Sequence, residues 1–97
     1  MTETIQTPVD IGTLIQRSPD FRGGRPCIAG TGVSVRRVAQ LHNFGLPAEK
    51  IAANFGHISQ AQVHAALAYY YSNPGEIDAD LAAEDAAAEE LQRQLRK

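Results

Sequence analysis

The side chains in this sequence that could do chemistry are few and poorly arranged for catalysis. Three histidines, His42, His57 and His64, accompany a single cysteine, Cys27. Their spacings match neither a zinc finger nor a histidine pair four residues apart on one helix, so we expect no metal site. Most carboxylates lie near the C-terminus, where no pocket could tune their pKa values. No serine–histidine arrangement that would activate a nucleophile is visible. The sequence therefore predicts a protein that is not an enzyme.

Gly30, Thr31 and Gly32 precede a predicted helix, as in some phosphate-binding loops. The third glycine, the Lys-Ser/Thr pair and the βαβ context of such loops are absent, so we expect no nucleotide or other cofactor. The lone cysteine cannot form a disulfide framework, which favours a reducing compartment. No apolar run reaches the roughly twenty residues of a membrane span, and the N-terminus lacks a signal peptide. We expect a cytoplasmic protein without a membrane partner.

Arginines and amides offer a different chemistry, the recognition of nucleic acid. Arginine binds phosphate, and glutamine can hydrogen-bond to the edge of adenine in the major groove. Five arginines lie close together in the sequence: Arg17, Arg22, Arg25, Arg36 and Arg37. The side chains that we predict to contact DNA are Arg25, Arg36, Arg37, Ser59, Gln60, Gln62 and His64. Ordinary solvation of a polar surface is the alternative for all of them.

The charge of the chain is divided unevenly along its length. The formal net charge is −2, which argues at first against nucleic acid. Residues 1–75 carry six basic against four acidic residues, a net +2, whereas residues 76–97 carry three against seven, a net −4. This asymmetry indicates separate roles for the two segments, although a short acidic helix can equally be a solvated one.

Helices and short strands must position these side chains. Residues 17–34 are rich in Gly and Pro, which favours short strands joined by turns, with Gly23-Gly24 as a hairpin turn. Helices are predicted over residues 34–45, 47–56 and 59–73. Ser34 caps the first of them, and the S-x-x-Q capping box of Ser59 and Gln62 opens the third. Side chains at helical spacing that we expect to face the core are Val35, Val38, Leu41, His42, Ile51, Ala52, Phe55, Val63, Ala66, Leu67 and Tyr70.

The second and third helices have the layout of a helix-turn-helix. A short helix, a glycine-bearing turn and a longer capped helix follow one another over residues 48–70. The apolar positions after the turn come one residue later than in the tight bacterial repressors, which favours the homeodomain-like form. A plain three-helix bundle with polar outer faces is the alternative. Since the third helix carries no Arg or Lys, its phosphate contacts would have to come from elsewhere.

A fourth, amphipathic helix is predicted after Asn73-Pro74. At about 100° per residue its apolar side chains fall in one stripe, which Glu84 interrupts. Side chains that we predict to bind a partner protein are Ile77, Leu81, Leu91, Leu95, Arg93 and Arg96. The alternative is a helix that packs back on its own dimer. We thus predict a leader at 1–16, a β element with three helices at 17–73 and a partner-binding tail at 74–97.

One segment resembles a large bacterial and archaeal family long catalogued as a domain of unknown function. The family motif reads roughly R-S-P-x-x-x-G-G-x-P-x-I-x-G-T-R-[IV], and this chain has RSPDFRGGRPCIAGTGV from Arg17 to Val33. The resemblance continues through Gly45–Ile51 and His57–Tyr70 and covers about residues 15 to 80. The family's arginine after Gly-Thr is Gly32 here, so no role of that arginine is carried over.

The resemblance implies a mainly α fold, a homeodomain-like three-helix helix-turn-helix with a short N-terminal β element, usually dimeric. It also implies an antitoxin that binds a PIN-like ribonuclease toxin through its C-terminal segment and binds its own promoter DNA. Arg93 or Arg96 could reach the carboxylate cluster of such a nuclease while Leu91 and Leu95 anchor in a groove. A stand-alone helix-turn-helix regulator and a dimeric adaptor that does not bind DNA are the alternatives.

Overall fold

The chain is mainly helical, with a short sheet near its N-terminus. A computed structural model describes residues 8–20 and 22–96. Within these residues, two antiparallel strands precede four α-helices. The strands are β1 (Ile15–Gln16) and β2 (Cys27–Ile28), and the helices are α1 (Val35–Asn43), α2 (Ala48–Phe55), α3 (Gln60–Ser72) and α4 (Pro74–Leu95). No helix in the described part of the chain is both long and apolar enough to span a membrane.

The sheet differs from the predicted hairpin. Ile15 pairs with Ile28 and Gln16 with Cys27, so the whole segment 17–26 connects the strands. Gly23 and Gly24 lie in a 3-10 turn inside that connection, both with positive φ, and do not form a two-residue hairpin turn. The first strand falls inside the segment predicted as a leader. It was missed because two residues are too few to show the alternation that marks a strand.

The predicted starts of α1 and α3 are confirmed by the hydrogen bonds of their capping residues. The Ser34 hydroxyl accepts from the backbone N–H of Arg37 at 3.1 Å and caps α1. At α3, the Gln62 N–H donates to Ser59 Oγ at 3.1 Å, and the Ser59 N–H donates to Gln62 Oε1 at 2.7 Å. Gly56 ends α2 with φ 80°, a left-handed conformation that glycine adopts without strain.

The core lies between α1, α2 and α3, with β2 and the start of α4 against it. Of the side chains predicted to face the core, Phe55 is partly buried and His42 is not in the core. His42 is instead half-buried, and its Nε2 lies 2.5 Å from the hydroxyl of Tyr71. The others are buried as predicted: Val35, Val38, Leu41, Ile51, Ala52, Val63, Ala66, Leu67 and Tyr70.

Helix α4 is half docked and half free. Ile77 is 1% exposed and belongs to the core, and Leu81 packs against it. From Ala82 onward, every side chain whose burial the structure describes is exposed. We call residues 74–84 the docked half of α4 and residues 85–96 its free half. The first turns of α4 therefore contribute to the core of the domain.

Candidate functional site

Three carboxylates of α4 face arginines of the domain. Glu76, Asp80 and Glu84 are each four residues apart, so they lie along one side of the helix. We call them the acidic ladder. Glu76 pairs with Arg17 at the first step of this ladder. At the last step, Arg36 Nε lies 2.9 Å from Glu84 Oε2.

Asp80 stands at the centre of the ladder and binds two arginines. Arg25 Nε lies 2.8 Å from its Oδ2 and 3.0 Å from its Oδ1. Arg36 Nη1 lies 3.3 Å from Oδ1. The hydrogen bond to Asp80, together with its negative charge, raises the pKa of Arg25 above its ordinary value. The Asp80 side chain is 18% exposed, whereas those of Arg25 and Arg36 are 41% and 25% exposed. Both arginine side chains are thus more exposed than the carboxylate that they bind.

Two tyrosines of α3 hold the base of α4. The Tyr70 hydroxyl donates to Asp78 Oδ1 at 2.8 Å and accepts from Asn43 Nδ2 at 3.3 Å. The Asn43 bond lowers the pKa of Tyr70, but the bond to Asp78, burial and nearby negative charge outweigh it and raise the pKa. The Tyr69 hydroxyl accepts from Arg17 at 2.6 Å and lies 3.2 Å from Glu76. The start of α4 is therefore tied to α1 and α3 by polar as well as apolar contacts.

The predicted DNA-contacting residues are placed in three different settings. Arg25 and Arg36 are paired with the acidic ladder. The side chains of Ser59 and Gln62 form the hydrogen bonds of the capping box of α3. The remaining three, Arg37, Gln60 and His64, are exposed, as is the Ser59 side chain of the capping box. Arg37 also donates to Gln40, one turn further along α1. The exposed group is therefore smaller than the predicted one.

The outer side of α3 is partly covered by the N-terminal segment. A 3-10 turn at Ile11–Leu14, capped by Asp10, packs alongside the helix. Between them lies an apolar groove of about 370 Å³, lined by Ile11, Leu14, Ala61, His64, Ala65 and Ala68. A recognition helix inserts its outer face into the major groove of DNA. Because the 3-10 turn covers part of that face of α3, less of the helix surface is available for such a contact. Gln60 and His64, near the start of α3, remain exposed.

The predicted partner-binding residues divide between the two halves of α4. Ile77 and Leu81 contribute to the core of the chain itself. Leu91 and Leu95 are 56% and 75% exposed on the free half. Arg93 pairs with Glu90 at 2.8 Å, and Arg96 is the C-cap residue of the helix. The exposed members of the predicted set thus all lie on the free half.

The acidic ladder is the feature that sequence reasoning missed. Its spacing of four residues was visible, but Glu84 was interpreted only as an interruption of the apolar stripe, and the acidic helix as a partner-binding tail, with a solvated helix as the alternative. Pairing with Arg17, Arg25 and Arg36 depends on how the chain folds back, which spacing alone does not reveal. Among the described residues, no group of three or more His, Cys, Asp or Glu side chains could hold a metal ion.

Comparison with known proteins relates the domain to a family but does not assign an activity to it. The sequence profile of a family described as "Protein of unknown function (DUF433)" matches residues 15–70. The fold is similar to the crystal structure of a DUF433 member protein from Anabaena variabilis, at 30% sequence identity and a TM-score of 0.68. That alignment covers 72% of this chain and 69% of the other. The search of curated proteins finds no match. The profile match includes Arg17, Arg25 and Arg36, whereas the acidic ladder lies beyond it.

Proposed function

This chain belongs to the DUF433 family, and from that membership and the geometry of α4 we propose that it is the antitoxin of a type II toxin–antitoxin pair. In this proposal it acts in the cytoplasm, binds a PIN-like ribonuclease directly and silences it. It also binds its own promoter DNA, which lets the pair regulate its own synthesis.

The observation that carries the proposal is the passage of one apolar stripe from the core into solvent. The stripe begins at Ile77 and Leu81, which pack in the domain, and ends at Leu91 and Leu95, which are exposed to solvent. A helical segment as short as the free half gains little stability from its own backbone and is marginal in water. Exposed leucines at helical spacing are what a hydrophobic groove on a partner recognises. The free half is therefore suited to dock on another protein.

The end of the free half has a chemistry that suits an acidic partner site. Arg93 and Arg96 lie in its last turns, in the same segment of the chain as Leu91 and Leu95. PIN-like nucleases hold their metal with a cluster of carboxylates, and guanidinium groups form paired hydrogen bonds with carboxylates. In the proposed complex the two leucines anchor the helix, and an arginine enters the nuclease pocket and blocks it.

The proposed DNA-binding unit is a homeodomain-like helix-turn-helix made of α2 and α3. It is supported by the order of a short helix, a left-handed glycine and a longer capped helix. Arg37, Gln60 and His64 are the exposed side chains through which it would contact DNA. A homodimer would double this small set of contacts, as the two-fold symmetry of many operators requires.

The first test is co-expression with the product of the adjacent reading frame, followed by size exclusion and an RNA-cleavage assay. We expect a stable complex without nuclease activity. The informative truncation removes the free half after Asp85, because cutting at Pro74 would also remove Ile77 from the core. Loss of neutralisation with an unchanged melting temperature would place the inhibitory element in the free half.

Point substitutions then separate the two parts of the proposed contact. Leu91→Ala with Leu95→Ala should weaken the complex, and Arg93→Ala with Arg96→Ala should restore cleavage while leaving most of the binding. Asp85→Asn with Glu89→Gln is the matched control on the same exposed helix. Two proteins that elute apart, or a neighbour without nuclease activity, would contradict the antitoxin proposal.

The exposed start of α3 also supports a second candidate function, that of a stand-alone helix-turn-helix regulator. Such a protein would bind its operator with a steep salt dependence and would need no toxin. An adaptor would show neither DNA binding nor a toxin. Promoter binding by the isolated chain, measured across a salt series, distinguishes these two.

A further inference from the structure

The acidic ladder occupies the arginines that a DNA-binding surface would need. Arg25 and Arg36 converge on one carboxylate, Asp80, with Glu84 binding the other side of Arg36. Arg37, the next residue of α1, faces solvent and touches no carboxylate of α4 among the contacts described. Of the three arginines predicted to contact DNA, Arg25 and Arg36 are thus paired with α4 and Arg37 is exposed.

We propose that Arg25 and Arg36 form a phosphate-binding pair for duplex DNA, which Asp80 and Glu84 mask in the free chain. This inference rests on the proposed DNA binding and adds its regulation. A phosphodiester offers the same ligand as a carboxylate, two oxygens that share a negative charge, to the planar fork of a guanidinium group. Asp80 thus stands where a phosphate of the DNA backbone would bind.

The exposure of the groups makes the exchange possible without unfolding the helix. The side chain of Glu84 is 42% exposed and can turn outward into solvent, whereas that of Asp80 is 18% exposed and keeps a smaller opening to solvent. Partly exposed ion pairs contribute little to stability, because water already screens the charges. Ile77, 1% exposed, anchors the docked half independently of these pairs. A phosphate therefore competes with two side chains rather than with the fold.

The charge of α4 adds a longer-range effect in the same direction. Residues 76–97 carry a net −4, and the ladder brings part of this charge against the arginines of the domain. These carboxylates repel a negatively charged DNA strand that approaches Arg25 and Arg36. Removing negative charge from the ladder should therefore increase the affinity for DNA more than removing the same charge from the free half.

The test measures binding to a short duplex DNA of arbitrary sequence by the full chain and two isosteric double variants. Asp80→Asn with Glu84→Gln unmasks the pair, and Asp85→Asn with Glu89→Gln removes the same charge from the free half. We expect the first to bind about tenfold more tightly than the second. Two additional phosphate contacts should also steepen the dependence of log K on log salt by about 1.8. Adding Arg36→Gln to the unmasked variant should abolish most of the gain.

Equal affinities and salt slopes for the two double variants would overturn the masking, as would a gain that survives Arg36→Gln. If circular dichroism shows that the unmasked variant is unfolded, Glu84→Gln alone replaces it, with Glu89→Gln as its control and about half the change in slope expected. Neutralisation of the toxin is assayed in parallel with the same proteins. If the masking fails but the wild-type chain neutralises the toxin, only the masking is wrong and the antitoxin proposal stands. If the wild-type chain does not neutralise the toxin, the antitoxin proposal is wrong whatever the DNA-binding result.

Discussion

Arg36 and Arg37 are adjacent in α1 but have different surroundings. Arg36 is 25% exposed and pairs with Asp80 and Glu84, whereas Arg37 is exposed, and its side-chain hydrogen bond within the described residues is to Gln40 of its own helix. The two residues have the same chemistry and nearly the same place in the sequence. Their difference arises because successive residues of a helix point about 100° apart, and only one of the two directions meets α4.

This difference predicts unequal effects on stability. Arg36→Gln should lower the free energy of unfolding by about 1 kcal/mol, because two partly screened ion pairs are lost. Arg37→Gln should change it by less than about 0.5 kcal/mol, as for most exposed positions. Urea denaturation at low and at high salt measures both. An Arg36 effect that persists undiminished at high salt would contradict the ion-pair explanation, since salt screens such pairs.

Tyr70 links three helices through its hydroxyl. It accepts from Asn43 of α1 and donates to Asp78 of α4 while its ring is buried in the core. Tyr70→Phe keeps the ring and removes both hydrogen bonds. Because Asn43 and Asp78 are exposed and can bind water instead, we expect the free energy of unfolding to fall by only about 1 kcal/mol at neutral pH.

The raised pKa of Tyr70 adds a pH dependence with a definite sign. The folded chain holds the phenol proton more tightly than the unfolded chain, in which tyrosines have a pKa of about 10. The stability that this group contributes is therefore fully present below that pH and is lost as the pH rises through the folded-state value. The gap in unfolding free energy between wild type and Tyr70→Phe should shrink in urea titrations above that pH. A constant gap would contradict the shift.

At the scale of the single element, the capping box of α3 predicts a structural rather than a DNA-reading role for Ser59. Ser59→Ala should cost about 1 kcal/mol of stability, because the backbone N–H of Gln62 loses its acceptor. Gln60→Ala, one residue further on and exposed, is the control and should be nearly neutral. Thermal unfolding followed by circular dichroism compares the two. If DNA affinity falls with Gln60→Ala but not with Ser59→Ala, the two roles are separated.

Helix α4 changes its role along its length, and one pair of substitutions tests this. Ile77→Ala should destabilise the fold by about 2–4 kcal/mol, because it removes a fully buried side chain and leaves a cavity. Leu91→Ala should leave stability unchanged within about 0.5 kcal/mol, because Leu91 is 56% exposed. Urea denaturation of both variants measures the difference. Equal losses would mean that the free half packs on the domain.

At the scale of the whole molecule, the docked and free halves of α4 should differ in local stability. Amides of α1, α3 and the docked half should be protected from hydrogen exchange, because opening them exposes the core. Amides of the free half should exchange rapidly, since little but the backbone of this short segment supports it. Exchange measured by NMR, with and without the partner, checks this. Slow exchange of residues 85–96 in the isolated chain would contradict the division.

Much of the helical architecture could be predicted from the sequence. Caps at Ser34 and Ser59, the glycine after α2 and the apolar spacing of three helices all act within a few residues, and all are confirmed. The short strand β1 could not be predicted, because it exists only through its pairing with β2. In the candidate site, Gln60 and Leu95 are exposed and their roles in binding stay predictions, whereas the setting of Arg25 could not be predicted without the fold.

What the sequence by itself determined is the set of local interactions: helix starts and ends, which faces are apolar, and the separation of basic and acidic segments. Only the tertiary structure decided that the acidic segment folds back on the basic one, with Asp80 between Arg25 and Arg36. The physical reason is range. Caps and helical periodicity act within a turn or two of helix, whereas this contact joins residues 55 apart in the chain. It forms because burial of Ile77 brings α4 against the domain.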